Sequence, residues 1–328
     1  MACVRTWNCR ERLTGADGPC FSPRRTNFEL SLPGPGGELL TVEHQDSPGP
    51  ALRVKKTYKL YIGGEFVRTE SGRYDPIESA KTGFLANVSR GSRKDLRDAV
   101  RAARGAVSGW SARTAMNRGQ ILYRAAEMLD GRRAQFVELL GSARAAHKEV
   151  DDAVEALVWY AGWTDKLAQV IGATNPVSGP YFNFTIPEPT GVVGVVAPEE
   201  PALVGLVRRV APALCGGNAL VVLAPEETPL PALTLAEVLA TSDLPAGVVN
   251  VLSGFRKELL PWLASHMDVN AIDLTGAPDS LADDLAVAAA ENLKRVLRPA
   301  AEDWTQPPGL KRMLAYLETK TVWHPTGT

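Results

Sequence analysis

The stretch from Gly191 to Leu274 constrains the fold more than any other part of the chain. Its opening run, Gly191-Val-Val-Gly-Val-Val-Ala-Pro198, is apolar at every position, so the strand it forms is covered on both faces, as parallel strands between two helical layers are. The pattern then repeats in units of about thirty residues. A helix is expected over 201–214, a strand over 219–223, a helix over 231–240, a strand over 248–252, a helix over 257–265 and a strand over 271–274. Alternation of this kind predicts an α/β protein with a doubly wound, Rossmann-like parallel sheet.

The flanks carry weaker patterns. Residues 59–67 alternate around Gly63-Gly64, which marks a β-hairpin. Between Lys94 and Lys166, apolar residues recur at helical spacing in three groups: Leu96, Val100, Ala103 and Val107, then Ile121, Ala125 and Leu129, then Val154, Leu157 and Ala161. Three amphipathic helices follow from them. Tyr181-Phe-Asn-Phe-Thr-Ile-Pro187 alternates aromatic and β-branched residues and reads as a strand. Beyond Thr275 the expectation is a helix over 279–296, a loop over 299–309, a short helix over 310–317 and a terminal strand over 319–325. Residues 1–56 mix Arg, Pro, Gly and Ser without period and read as a flexible leader. The chain thus divides into 1–56, a main body over 57–277 and a residual segment over 278–328.

With 36 basic and 37 acidic residues, the net charge of -1 provides no field for gathering nucleic acid or an anionic membrane. The pairs Arg208-Arg209 and Lys55-Lys56 read as solvated surface. No stretch approaches the ~20 apolar residues of a membrane span, and the N-terminus has no signal-peptide core. Four cysteines are present. Cys3, Cys9 and Cys20 lack metal-ligand spacing, and Cys215 lies in an apolar helical run, so no metal site is expected and a reducing, cytoplasmic location fits. The four histidines are scattered, Glu199-Glu200 reads as solvated charge at a strand end, and Trp159 with Trp163 reads as a packed helical pair. Ser92, Ser253 and Ser280 lack the Gly-x-Ser-x-Gly elbow of a serine hydrolase. Gly191-Val-Val-Gly194 is half a dinucleotide fingerprint, but it lies within a strand instead of opening a helix.

Several segments in order resemble the aldehyde dehydrogenase family: Lys59-Leu-Tyr-Ile-Gly-Gly-Glu-Phe-Val67, Glu188-Pro-Thr-Gly-Val-Val-Gly-Val-Val-Ala-Pro198, Ala211-Pro-Ala-Leu-Cys-Gly-Gly-Asn-Ala-Leu-Val-Val-Leu223, Leu244-Pro-Ala-Gly-Val-Val-Asn-Val-Leu-Ser-Gly254 and Thr275-Gly276. The likeness covers about residues 58–277. Glu291-Asn-Leu-Lys-Arg-Val296 and Glu318-Thr-Lys-Thr-Val-Trp-His-Pro325 are similar to the shortened second repeat of the sixteenth subfamily, in which most of the catalytic domain has been lost.

The resemblance implies a cysteine nucleophile downstream of Thr275-Gly276. The last cysteine is Cys215, and the family's Glu-Leu-Gly-Gly-Lys and Glu-x-Phe-Gly-Pro motifs are absent. No catalytic residue is therefore assigned. Pro198, Glu226, Thr275 and Gly276 match cofactor-binding positions and are taken as vestigial, Glu226 standing for the ribose-binding glutamate. Glu200 replaces the oxyanion asparagine, Leu223 the ribose lysine, Arg256 a glycine beside the cofactor, and Leu274 and Ala277 a phenylalanine and a serine. Arg256 is expected to fill cofactor space or, in the alternative, to salvage a phosphate contact. No cofactor is expected, with NAD(P) the one it would take.

The resemblance implies a non-catalytic module whose strands at 181–187 and 319–325 join in an oligomerisation sheet. Its partners would be further copies of itself or an aldehyde dehydrogenase domain. The competing expectations are weak NAD or nucleotide binding, and aldehyde oxidation only when joined to an intact dehydrogenase domain.

Overall fold

The computed structural model of the chain describes residues 55–79, 83–141 and 143–327. The leader expected over 1–56 lies, apart from Lys55 and Lys56, outside the described residues.

Strand β1 (Thr57–Tyr58) is followed by the hairpin of β2 (Leu60–Ile62) and β3 (Glu65–Val67). Gly63 and Gly64 turn it with φ of 63° and 88°, the paired left-handed conformations of a two-residue hairpin turn. Strands β4 (Tyr74–Ser79) and β5 (Gly83–Ser89) form an antiparallel pair that the sequence pattern does not reveal. Its register shifts between Ile77 and Glu78, and a bulge of this kind breaks the period-two alternation.

Four helices fill the region where three are expected, α1 (Arg93–Ser111), α2 (Ala115–Gly131), α3 (Arg133–Leu139) and α4 (Arg144–Ala161), and a fifth, α5 (Leu167–Ile171), follows it. The two additions, α3 and α5, are too short to show a helical period. A capping box starts α1: Ser92 Oγ accepts from the Asp95 amide at 3.3 Å, and the Asp95 carboxylate accepts from the Ser92 amide at 2.8 Å. A cap of this kind contributes about 1 kcal/mol. Trp159 and Trp163 do pack together, their ring centres 5.4 Å apart.

Next come β6 (Ala173–Asn175) and β7 (Tyr181–Pro189), then the alternating core: β8 (Val192–Val196), α6 (Val204–Cys215), β9 (Ala219–Leu223), α7 (Leu230–Ala240), β10 (Val249–Leu252), α8 (Arg256–Ser265), β11 (Ala271–Asp273) and α9 (Asp279–Ala290). The helix expected over 279–296 stops at Ala290. Leu293 adopts a left-handed φ of 58°, which no helix can carry on from, and the Asn292 side-chain amide donates to the Met267 and Val269 carbonyls. The chain leaves that turn as β12 (Arg295–Leu297), parallel to β11. Helix α10 (Leu310–Ala315) and β13 (Leu317–Pro325) complete it.

The main sheet runs β12-β11-β8-β9-β10-β2-β3, parallel from β12 to β10 and closed on one side by the antiparallel hairpin. Strands β8, β9 and β10 are buried at every position, as expected of a sheet covered on both faces. Helices α1, α8 and α9 cover one face, and α6 and α7 the other, with α2 and α4 packed outside α6. From β8 the chain winds outward through β9 and β10, then returns to lay β11 on the other side of β8. Ligands of doubly wound sheets bind at such a switch point, beyond the carboxyl ends of the strands. A separate antiparallel sheet, β13-β7-β6, joins the strand at 181–187 to the terminal one.

Candidate functional site

The carboxyl ends of β8 and β11 meet at this switch point. The Gly276 amide donates to the Val196 carbonyl at 3.1 Å, and any side chain at 276 would collide with the backbone of Ala197. Glycine is required there by close backbone approach. Pro198 is buried next to it, packed so closely on Gly205 of α6 that a Cβ at 205 would strike its ring. Thr275 is turned inward, its amide and hydroxyl both donating to the Asp273 carboxylate. Thus Pro198, Thr275 and Gly276 share one rim, and Glu226 follows the end of β9 on the same side.

Helix N-termini at such a rim present free N–H groups to anions. At the starts of α6 and α8 the protein's own carboxylates take them. Glu149, from α4, accepts from the Leu203 and Val204 amides at the start of α6, at 2.7 and 3.2 Å. Burial raises its carboxyl above the usual range, partly offset by those amides. Glu199 accepts from the amides of Glu226 and Glu227 at 2.8 and 3.1 Å. Glu226 accepts from the Arg256 amide, the first of α8, at 2.8 Å. The carboxylate expected to meet a ribose is therefore committed to a helix N-terminus.

Arg256 completes the closure. Its guanidinium is buried, donates to the Ala197 carbonyl at 2.7 Å and pairs with Glu199 at 2.6 Å. Burial lowers its pKa, and Glu199, Glu226 and Glu227 counter that. The expectation that it fills the crevice describes this geometry. Both contacts run through one terminal nitrogen, Nη2, while Nε is buried without an acceptor among the described residues. Reading Glu199 as solvated charge is likewise corrected: it is an internal counter-ion, while Glu200 is exposed. A groove beyond Glu226, of about 340 Å³, is lined by Glu226, Glu227, Glu78 and Asp75, the last paired with Arg90. The first amides of α6 and α8 are taken, the crevice holds an ion pair and the groove is acidic, three features that oppose a dinucleotide there. At the other expected departures, Leu223, Leu274 and Ala277 are buried in the core.

Below the rim lies a network that sequence reasoning missed. The fully buried Asp273 carboxylate accepts from Arg312 of α10, from the Tyr316 hydroxyl at 2.7 Å and from Thr275. Arg312 also pairs with Glu302 at 3.0 Å, and Glu302 pairs in turn with the fully buried Arg209. Arg209 donates to the Gly205 carbonyl at 2.8 Å and lies 4.6 Å from the Trp304 ring centre. Burial lowers the Arg209 pKa; for Arg312 burial acts the same way but Asp273 and Glu302 outweigh it and raise it. Residues 298–315 are thereby fastened over the end of β11. Arg208-Arg209 is corrected from surface to buried, because α6 is enclosed along its whole length. Two arginines inside an otherwise apolar helical run are the signal that could have found this.

Cys215 is fully buried, and burial pushes its thiol up to about 12. At neutral pH it is a thiol, not a nucleophilic thiolate. Among the described residues no group of three or more potential ligands could hold a metal ion, and no helix is long and apolar enough to cross a membrane. His147 and His324 are exposed, and His266 is half-buried with its Nδ1 accepting from the Asp268 amide at 3.2 Å.

A family model described as "Aldehyde dehydrogenase family" matches residues 66–298. Retinal dehydrogenase 2 of Mus musculus is 34% identical over 286 residues, covering 83% of this chain and 54% of that protein. Omega-crystallin of Enteroctopus dofleini is 32% identical over 257 residues, covering 76% and 51%. An NAD+ complex of an aldehyde dehydrogenase from Bacillus cereus superposes with a TM-score of 0.68 at 30% identity, over 73% of this chain and 50% of the other. The chain spans about half the length of the relatives it matches.

Proposed function

The chain belongs to the aldehyde dehydrogenase family, and from that premise we propose that it is a non-catalytic member, a pseudoenzyme of the cytoplasm that acts through assembly. It carries the family's α/β cofactor-domain fold with a closed cofactor site, in the manner of the second repeat of the sixteenth subfamily. The observation that carries this reading is the Arg256–Glu199 ion pair lodged in the crevice, with Glu149, Glu199 and Glu226 holding the amides around it. Residues 279–325 support it further: they supply α9, β12, α10 and β13, with the Arg312–Asp273 pair binding them to the sheet.

Assembly is assigned to the β13-β7-β6 sheet. Tyr181, Phe182 and Trp323 are exposed on it, Tyr181 and Trp323 with ring centres 5.8 Å apart, and β13 and β6 are open edges. Exposed aromatics on an unprotected strand pair are what a partner surface covers. The partner is a further copy of this chain or an aldehyde dehydrogenase domain presenting the same sheet.

Titration calorimetry with NAD+ and NADP+ tests the closed crevice: no saturation is expected up to millimolar ligand, and a saturating isotherm below that would overturn the reading. Incubation with NAD+ and an aliphatic aldehyde should produce no NADH. Deleting residues 318–328 should lower the mass found by light scattering; an unchanged mass would remove the assembly role. The second reading, weak NAD(P) binding through Glu226, draws on the NAD+ complexes among similar structures and is separated by the same titration. Aldehyde oxidation is confined to the case in which an intact dehydrogenase domain is joined to this one.

A further inference from the structure

Of the three arginines clustered at residues 298–315, Arg208, Arg209 and Arg312, the first has no partner among the described residues. Arg209 has Glu302, Gly205 and Trp304, and Arg312 has Asp273 and Glu302. Arg208 is 8% exposed and makes no hydrogen bond or ion pair among the described residues, and its Nε is buried without an acceptor among them. Its Nε is sealed off while the terminal nitrogens open on the neighbouring cleft, where a bound anion would pair the charge.

This side chain lines a cleft of about 430 Å³ between α6, the end of α4 and residues 297–315. The volume is that of a small-molecule site. Leu297, Ala300, Pro307, Pro308 and Ala315 give it apolar walls, while Thr275 and Tyr160 bring hydroxyls. The Tyr160 hydroxyl donates to the Gly309 carbonyl at 3.1 Å, and burial pushes it up to about 12, so it remains protonated. Two carboxylates also face the cleft. Glu302 is held by Arg209 and Arg312, and Asp303 accepts from Thr305 and Gln306 within its own turn, so neither neutralises Arg208. Arg298 and Arg312 also line it, held by Asp283 and Asp273, and Lys311, exposed at the mouth, adds a cation with no ion pair among the described residues.

We propose that this cleft is a binding site for a small monocarboxylate with an apolar body of a few carbons, its carboxylate meeting the Arg208 fork. The fork suits a planar carboxylate in bidentate contact, and the apolar walls select against a bare inorganic ion. The site is separate from the closed cofactor crevice, so it stands or falls independently of the assembly reading.

The test is calorimetry on the full chain with hexanoate, using hexan-1-ol and inorganic phosphate as comparison probes. Hexanoate should bind saturably and more tightly than either. Arg208→Gln should weaken it about 10-fold or more, the worth of a charge-assisted hydrogen bond, and Arg208→Lys by less. Circular dichroism checks that R208Q is folded, and the graded response of R208K provides the reading if it is not. Absence of saturable hexanoate binding, equal affinity in the variants, or hexan-1-ol or phosphate binding as tightly would each overturn the proposal.

Discussion

Asp273 is the anion on which the C-terminal segment turns, and replacing it by asparagine separates a buried charge network from ordinary packing. The carboxylate is fully buried and accepts from Arg312, Tyr316 and Thr275. Asparagine keeps the shape but removes the charge, and it turns an amide donor toward two of those donors. Arg312, itself 19% exposed, is left with Glu302, which it already shares with Arg209. Breaking one side of a buried pair costs about 3–5 kcal/mol. At about 2–4 °C per kcal/mol for a body of this size, that is a fall in Tm of about 6–20 °C. Urea denaturation of Asp273→Asn, Arg312→Met and the double variant reads both the loss and the coupling. The double variant should recover about 1–3 kcal/mol relative to additivity. A loss below about 1 kcal/mol in D273N, or strict additivity, would refute the view that this pair fastens residues 298–315 to the sheet.

Gly276→Ala should destabilise the protein by about 3 kcal/mol or prevent its folding, because the new Cβ meets the Ala197 backbone and neither strand end can yield; a melting temperature within a few degrees of wild type would contradict the close approach. The Cys215 thiol is raised by burial from its ordinary value of 9.0 to about 12, so between those pH values the unfolded chain sheds a proton that the folded one keeps. Stability should therefore fall as pH rises above about 9, by roughly 1 kcal/mol per unit, and Cys215→Ala should flatten that slope in urea melts at pH 9–11. Arg256→Gly alone should leave the NAD+ titration flat, since it bares Glu199; Arg256→Gly with Glu199→Ala removes both charges and should show more heat than the single variant, and equal isotherms would count against the ion pair as the obstacle.

The alternating core was legible because each strand is apolar on both faces and each helix is bounded by a turn, so strands at 192–196, 219–223 and 249–252 fall where the hydrophobic runs place them. What escaped was held by long-range contact. Strand β12 is three residues long and exists through pairing with β11, which no local pattern encodes. The β4–β5 pair hides its period behind a bulge. The positions that matched a cofactor rim, Pro198, Glu226, Thr275 and Gly276, do lie along one edge of the sheet, because backbone apposition there depends on local residues such as Gly276. Their present partners were not legible. Glu149 is 54 residues from Leu203, and Arg312 is 39 residues from Asp273, so charge in one segment gave no hint of its counterpart in another.

The rim also explains why closure does not depend on any one substitution. N–H groups at helix starts must be satisfied, and a bound phosphate is one way to do it. In this chain Glu149 and Glu226 satisfy those of α6 and α8, and Glu199 holds the loop amides of Glu226 and Glu227, each bond to a charged acceptor contributing about 1.5–3 kcal/mol. A pyrophosphate would first have to displace those carboxylates and then remain beside them. A single uncompensated carboxylate within ~4 Å opposes a phosphate charge by about 4 kcal/mol at an effective dielectric near 20, roughly a thousandfold in affinity. Arg256 neutralises Glu199, so that pair excludes a ligand by occupying space, whereas Glu227, with no counter-ion among the described residues, excludes it by charge. On the proposed reading, steric and electrostatic obstacles lie at adjacent points, so removing the ion pair relieves the larger one and restores binding in part.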